Sequence, residues 1–227
     1  MNHVEIVPYD SCFRDTVRRC VFDTGYGGAD VAPFFSDREL FADLLTLYYT
    51  DYEPGHAYIG MVDGEPAGYL LGCADTAHCN EVMKKHVFPS ILRRLVRGEY
   101  NIDRVTARYL WRGVLAMIRG EEKPAPLEQF PAHLHIDLFE PYRRHGLGSR
   151  LIHTWLDTLQ DLGVPGIHLG SSSAHTQSHA FYEKLGFRRY GVYRFTDSFF
   201  FERDQRDLYG ICYVMDLHVK KRSAAGV

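Results

Sequence analysis

The sequence of 227 residues lacks three features that each define a class of protein. Its five cysteines, Cys12, Cys20, Cys73, Cys79 and Cys212, form no CxxC pair. An odd number at irregular spacing predicts reduced, buried thiols and argues against a disulfide framework. A strong excess of one charge is absent too, and the formal net charge of −3 gives no indication of nucleic acid as a partner.

Long apolar runs are the third missing feature. The most apolar stretch near the start, residues 40–49, is interrupted by Asp43 and is far shorter than the roughly 20 residues that a membrane-spanning helix needs. The first ten residues do not combine a basic start with an apolar run, so no signal peptide is expected. We therefore expect a cytoplasmic protein that does not associate with membranes.

What is present is an ordinary globular chain with a readable order of elements. The pattern predicts β-α-α-β-β, then a helical insertion, then β-α-β-α-β-β. The pair Asp63-Gly64 lies between two strand-like segments, which predicts a tight hairpin turn. A later helix, ending at Gly163, is predicted from an apolar stripe. The stripe consists of Leu147, Leu151, Trp155, Leu159 and Leu162.

The insertion covers residues 77–130. It is rich in basic residues, has helical character and closes with the Pro-rich stretch EEKPAPLEQFP. Strands flank it closely, so we interpret it as part of one domain over residues 1–220, followed by a flexible tail at residues 221–227. It could cover one end of a binding cleft or form a dimer contact, and both a monomer and a homodimer remain open.

Two candidate sites overlap in HLHIDLFEPYRRHGLGSRLI, residues 133–152. The first is a loop that carries Arg143 and Arg144 and joins a strand directly to a helix. The first amides of a helix lack internal partners, and the helix dipole adds positive charge there. Gly146 and Gly148 remove the Cβ atoms that would keep an anion away from the backbone. This arrangement predicts a pyrophosphate site, although it is neither GxGxxG nor a GK[ST] loop.

The second candidate is a metal site. His133, His135 and Asp137 share one face of a strand, and with His168 and His175 they could bind zinc. The HxHxD pattern resembles the start of the metallo-β-lactamase motif, but Leu138 stands where that motif has its next histidine. We favour strand histidines that are hydrogen-bonded to their neighbours, and we predict no metal.

Two segments together resemble the signatures of the GNAT superfamily of N-acyltransferases. LFEPYRRHGLGSRLI is similar to the superfamily's acetyl-CoA loop, in which Arg or Gln is followed, after two further residues, by Gly-x-Gly or Gly-x-Ala. HTQSHAFYEKLGF is similar to its second signature. These signatures cover residues 134–187, and the order of elements fits from Val4 to Val219. The resemblance implies an α/β (α+β) acyl-CoA N-acyltransferase fold. That fold has a mixed central sheet, a splayed parallel pair of strands, and helices on both faces.

A narrower resemblance concerns PAHLHIDLFEP, CVFDTGYGGAD and AGYLLGCADT. The first is similar to the acetyltransferase-like domain at the end of animal O-GlcNAcases and to its stand-alone bacterial relatives, and the other two are similar to the bacterial relatives. The animal domain has lost the loop glycines, whereas this chain keeps Gly146 and Gly148. Loss of cofactor binding is therefore not carried over.

The resemblance implies acetyl-CoA as the co-substrate and no metal. Backbone groups of Leu138 and Phe139 would meet the pantetheine arm, and the amides of Arg144–Ser149 would hold the pyrophosphate. The implied cofactor-binding residues are Leu138, Phe139, Arg143, Arg144, His145, Gly146, Leu147, Gly148 and Ser149.

Three residues are candidates for catalysis. Tyr182 occupies the position of the superfamily's tyrosine acid, and a phenol with a pKa near about 10 is a suitable proton donor to a thiolate. Asp137 is the leading candidate for the base, provided that burial raises its pKa; a purely structural carboxylate is the alternative. His175 stands where the superfamily usually has Asn, which puts that contact in doubt and offers a second base.

The acceptor is less defined. Asp23, Tyr26 and Tyr48 lie where such proteins often shape the acceptor pocket. The predicted reaction moves an acetyl group to a primary amine by direct attack in a ternary complex, with a small-molecule amine or a protein lysine as the acceptor. The alternative is a catalytically weak acyl-CoA-binding pseudo-acetyltransferase or a protein-interaction module.

Overall fold

The computed structural model describes residues 3–26, 28–120, 125–173, 175–194 and 209–217. The tail at residues 221–227 lies outside them. The strands are β1 (Val4–Pro8), β2 (Ala57–Val62), β3 (Glu65–Cys73), β4 (Ala132–Leu138), β5 (Gly166–Ser172), β6 (Arg188–Arg194) and β7 (Tyr209–Asp216). The helices are α1 (Arg14–Thr24), α2 (Arg38–Leu47), α3 (Thr76–Val82), α4 (Phe88–Val96), α5 (Arg104–Arg119), α6 (Leu147–Asp161) and α7 (Thr176–Lys184).

The seven strands form one sheet in the order β1-β2-β3-β4-β5-β7-β6. Neighbours are antiparallel except for β4 and β5, which are parallel and pair only at Ala132 with Ile167 and at His133 with His168. Beyond these pairs the two strands diverge. The mixed sheet, the splayed parallel pair and the predicted order of elements are therefore confirmed.

The backbone of the β2–β3 hairpin explains why its turn could be predicted from the sequence. Asp63 has φ 51° and Gly64 has φ 85°. A two-residue turn with both φ values positive matches the twist of the flanking strands, and Asp-Gly accepts it at low cost. The hairpin places Tyr69 of β3 directly opposite Asp137 of β4.

Helix α6 packs its apolar stripe on the sheet. Leu147, Leu151, Trp155 and Leu159 are at most 1% exposed. A Cβ atom at Gly72 would lie 2.6 Å from the Trp155 ring, so glycine at that position lets the helix approach β3. These core positions agree with the predicted stripe. Leu162 does not, since it follows the last helical turn and is 54% exposed.

The insertion between β3 and β4 consists of α3, α4 and α5, and a buried carboxylate joins it to α2. Asp43 is fully buried and accepts hydrogen bonds from Arg18 at 2.7 Å, from Tyr100 at 2.5 Å and from Arg94. An unpaired buried carboxylate would be costly, and these three donors offset that cost. Among the described residues, no helix combines the length and the apolar character that crossing a membrane requires.

Candidate active site

The cleft between β4 and β5 is formed by the divergence of these two strands. Phe139 N–H donates to Ala67 C=O at 3.0 Å, toward β3. Backbone groups of successive strand residues face opposite neighbours, so those of Ile136 and Leu138 face the cleft. Of the two residues implied for the pantetheine arm, Leu138 therefore directs its amide into the cleft. The amide and carbonyl of Phe139 are bonded to Ala67 and Tyr142.

The loop after β4 turns sharply into α6. Arg144 has φ 67° and Gly146 has φ 82°, both in the left-handed region. Gly146 C=O accepts from Arg150 N–H at 3.1 Å, and within the described residues no side chain caps this helix start. The amides of Leu147, Gly148 and Ser149 are thus the first of the helix and have no partner in it. Such an end can bind an anion, as the sequence indicated.

The two arginines of the loop make different contacts. Arg143 donates from Nε to Leu138 C=O at 2.8 Å and from Nη1 to Gly28 C=O at 3.0 Å. It thereby holds the loop after α1 against the end of β4. Arg144 Nη2 donates to Gln177 Oε1 at 3.1 Å and joins the loop to α7. His145, which follows the two arginines, is exposed.

Asp137 has the environment that a base requires. Tyr69 Oη donates to its Oδ2 at 2.7 Å. Burial raises the pKa of Asp137 to about 6, and the Tyr69 hydrogen bond opposes part of this rise. A carboxylate with this pKa is largely ionised at neutral pH and is a stronger base than an ordinary aspartate. Tyr69 was missed at the sequence level, because only the strand register places it opposite Asp137.

Tyr182 lies on α7, in an aromatic cluster. Its ring centroid is 5.7 Å from that of Tyr213 and 6.0 Å from that of Phe187. Burial raises the pKa of Tyr182, and the negative charge of Asp137 adds to the rise. The phenol is therefore protonated at neutral pH and can donate a proton.

His175 precedes α7 at the end of the cleft. Its N–H donates to Ser172 C=O at 2.9 Å, and its side chain is half-buried. Burial lowers the pKa of His175, and the neighbouring His179 lowers it further. The imidazole is therefore neutral at pH 7 and can accept a proton.

The histidines of β4 have protein partners. His133 contacts Tyr49 Oη with Nε2 at 2.7 Å and Thr76 Oγ1 with Nδ1 at 2.6 Å. His168 Nδ1 donates to Phe130 C=O at 2.7 Å. Desolvation by the surrounding protein lowers the pKa of His135 to about 4. Among the described residues, the set His133, His135, Asp137, His168 and His175 does not bring three ligand atoms together.

An acidic cavity adjoins Asp137. It has a volume of about 410 Å³ and is lined by Asp23, Thr24, Gly28, Ala29, Asp30, Phe139, Glu140 and Pro141. The Thr24 side chain also interacts with Asp137. Asp23, one of the three predicted acceptor residues, lines the cavity and pairs with Arg38 at 2.5 Å. A larger cavity of about 530 Å³, between β1 and α6, shares no residue with this site.

The other two predicted acceptor residues do not line the acidic cavity. The Tyr26 ring packs against Phe34 with the centroids 4.7 Å apart. Tyr48 is 3% exposed, and its hydroxyl donates to Glu53 at 2.6 Å. Sequence reasoning missed Asp30 and Glu140, which come to one cavity from separate loops.

Comparison with known proteins shows which family and which solved structures the chain resembles. Residues 102–187 match the model of the acetyltransferase (GNAT) family. The structure resembles SsHAT at 28% identity and TM-score 0.66, over 91% of this chain and 96% of that one. An N-acetyltransferase from Staphylococcus aureus Mu50 is 11% identical with TM-score 0.58, over 95% and 99% of the chains. The Salmonella typhimurium acetyltransferase yncA, solved with acetyl-CoA, is 10% identical with TM-score 0.56, over 98% and 99%.

The two matches at about a tenth identity show the fold alone. The family model and SsHAT support an acyltransferase as the class of protein. The part of the chain that resembles the acetyltransferase (GNAT) family is residues 102–187, which include β4, the loop after it, α6, β5 and α7.

Proposed function

We propose that the protein is an acetyl-CoA-dependent N-acetyltransferase that transfers the acetyl group to a primary amine by direct attack in a ternary complex. The observation that carries the proposal is the divergence of β4 and β5 beside the start of α6, which no side chain among the described residues caps. Asp137, whose pKa is raised by burial, lies on β4, and Tyr182 lies on α7. Leu138 and the helix start at Leu147–Ser149 supply the groups that would hold the cofactor.

The chemistry follows from these two groups. Asp137 takes a proton from the incoming ammonium group, and the free amine attacks the thioester carbonyl carbon. A C–N bond forms, the C–S bond breaks, and Tyr182 donates its proton to the departing thiolate. The attacking nitrogen loses its second proton, Tyr182 is reprotonated, and one proton passes to solvent per turnover. His175, neutral at the end of the cleft, is the second candidate for accepting a proton.

The acidic cavity supports a cationic acceptor. Arg38 offsets the charge of Asp23, but Asp30 and Glu140 leave the lining negative. An ammonium group is attracted to such a site, and there it lies next to Asp137. A small-molecule amine and a protein lysine share this chemistry, and both are included in the proposal.

The test is release of free CoA from acetyl-CoA in the presence of amines. The panel contains diamines, lysine peptides and neutral aromatic amines. We expect turnover with cationic amines, and a kcat reduced about 100-fold in Tyr182→Phe. Tyr190→Phe, an exposed tyrosine of β6, is the matched control and retains the activity. Absence of CoA release with every amine contradicts the proposal.

A second candidate is an acyl-CoA-binding module without chemistry. The observation that favours it is His175, which stands where the superfamily usually has Asn and so removes a contact expected in an active enzyme. Calorimetry separates the two functions. Tight CoA binding without turnover favours the module, and no binding of CoA contradicts both.

The proposal also covers the relatives of the protein, its location, its domain organisation and its oligomeric state. We place the protein among the stand-alone relatives of the O-GlcNAcase acetyltransferase-like domain, on the basis of HLHIDLFEP. We also propose a cytoplasmic location, one domain over residues 1–220, and a monomer or homodimer. The five cysteines, which form no disulfide among themselves, are compatible with a reducing compartment.

A further inference from the structure

Two cysteines and one histidine meet at the end of β4 that is farther from the active site. Cys73, the last residue of β3, is directly opposite His133 of β4. Cys79 comes from α3, whose start is capped by Asp75. One ligand atom from each of these three residues lies within 4.8 Å of the others. The hairpin register and the helix cap thus bring two sulfurs and a nitrogen together from three elements.

The chemistry of this set suits zinc. Thiolate and imidazole are ligands that zinc prefers, and two cysteines with one histidine leave the fourth position of the tetrahedron to water. Cys73 is fully buried and Cys79 is 6% exposed. Two thiolates, a neutral imidazole and a divalent ion form a complex with no net charge. Such a complex is compatible with burial, whereas an unpaired ion is not.

The hydrogen bonds around His133 prepare one nitrogen for a metal. Thr76 Oγ1 donates to Pro131 C=O at 2.5 Å, so it accepts from His133 Nδ1–H at 2.6 Å. Nε2 therefore carries the lone pair, which here accepts from the Tyr49 hydroxyl. Metal-binding histidines commonly anchor their second nitrogen in this way.

We propose that Cys73, Cys79 and His133 bind a zinc ion, which fixes α3 and the insertion to the sheet. Binding at Nε2 replaces the hydrogen bond from Tyr49. A water molecule supplies the fourth ligand of the tetrahedron. The Tyr48 hydroxyl lies 3.9 Å from Cys73 Sγ and donates to the Glu53 carboxylate, so polar groups adjoin the cluster. This site shares only His133 with the five-residue set considered in the sequence, and it uses two cysteines that the sequence assigned to core packing.

The first measurement is the metal content of protein purified without a polyhistidine tag. We expect about one zinc ion per chain in the wild type and a loss of at least tenfold in Cys79→Ser. Cys12→Ser, an exposed thiol, and Cys212→Ser, a buried thiol of β7, are the matched controls and retain the zinc. Stoichiometric zinc that persists in the Cys73→Ser/Cys79→Ser double variant overturns the proposal.

The second measurement does not depend on a variant that folds. Metal-free wild-type protein is titrated with Co²⁺ under reducing, anaerobic conditions. We expect thiolate-to-cobalt charge-transfer bands and the visible bands of a tetrahedral site, saturating near one equivalent. X-ray absorption of the zinc form should show Zn–S distances of about 2.3 Å. Folded, reduced protein that develops no cobalt–thiolate bands overturns the proposal, as does a Cys73–Cys79 disulfide in protein isolated without metal.

Discussion

The two ends of β4 carry polar residues on the same face but have opposite surroundings. At the N-terminal end, β4 pairs with β3 on one side and β5 on the other. His133 there has a protein partner on each ring nitrogen. At the C-terminal end, β5 has diverged and Asp137 borders an open cleft, with Tyr69 as its hydrogen-bond donor. Pairing on both sides closes a polar cluster, whereas loss of one pairing leaves a buried carboxylate within reach of a ligand.

The largest expected effect is on kcat, and it comes from a substitution at the C-terminal end of β4. Asp137→Asn removes the proposed base, so kcat with the best amine should fall about 1,000-fold. The measurement is CoA release under saturating acetyl-CoA. Asp15→Asn, an exposed carboxyl of α1, is the control and should leave kcat unchanged. An Asp137→Asn enzyme that retains wild-type kcat would assign the carboxylate a structural role only.

The same substitution should have the opposite effect on stability. Burial raises the pKa of Asp137 from 3.8 to about 6. Ionised Asp137 therefore destabilises the folded state, and its favourable contribution is present below pH 4 and is lost as the pH rises through 6. We expect Asp137→Asn to increase the free energy of unfolding by about 2 kcal/mol at pH 7.5 relative to pH 4. Denaturant unfolding at the two pH values measures it, and an equal effect at both would contradict the raised pKa.

A substitution at the N-terminal end of β4 should lower the stability of the protein and leave its catalytic rate unchanged. Thr76→Val removes the hydroxyl that accepts from His133 Nδ1–H and donates to Pro131 C=O. We expect a loss of about 1–3 kcal/mol in the free energy of unfolding, because buried partners lose their hydrogen bonds. Thr154→Val, on the exposed side of α6, is the control. A large fall in kcat with unchanged stability would contradict the prediction that this end of β4 affects stability and not catalysis.

The smallest expected effect concerns the contact between β3 and the open end. Tyr69→Phe removes the hydrogen bond that favours the ionised form of Asp137, so the pKa of Asp137 should rise above about 6. The acidic limb of the kcat profile should move to higher pH by about one unit or less. A pH series of CoA release measures the shift. A limb that stays in place would mean that Asp137 is not the titrating base.

Local patterns predicted a large part of this molecule. Three local features could be predicted, because each depends on a short stretch of chain and on the allowed backbone angles. They are the Asp63-Gly64 turn, the apolar stripe of α6 and the glycine at the start of α6. The residues predicted for the cofactor loop also lie together for this reason. Leu162 was misplaced because a periodic pattern does not mark where the last helical turn ends.

Other features depended on contacts between distant segments. Asp43 looked like an interruption in an apolar stretch, yet Arg18, Arg94 and Tyr100 surround it from three other positions in the chain. Tyr48 was expected near the acceptor, but its hydroxyl is directed to Glu53. The side-chain environment in these cases follows from long-range packing, which one sequence does not reveal.

The sequence by itself determined the order of elements, the position of the helix start that is predicted to bind an anion, and the choice of Asp137 and Tyr182 as candidates. These follow from periodicity, backbone conformation and the resemblance of the motifs to a known family. The tertiary structure alone decided which partners those residues have. The register of β3 on β4 placed Tyr69 opposite Asp137 and Cys73 opposite His133. The divergence of β5 decided which end of β4 is open. Both depend on pairing between strands that are far apart in the chain, where a shift of one residue would reverse every side chain.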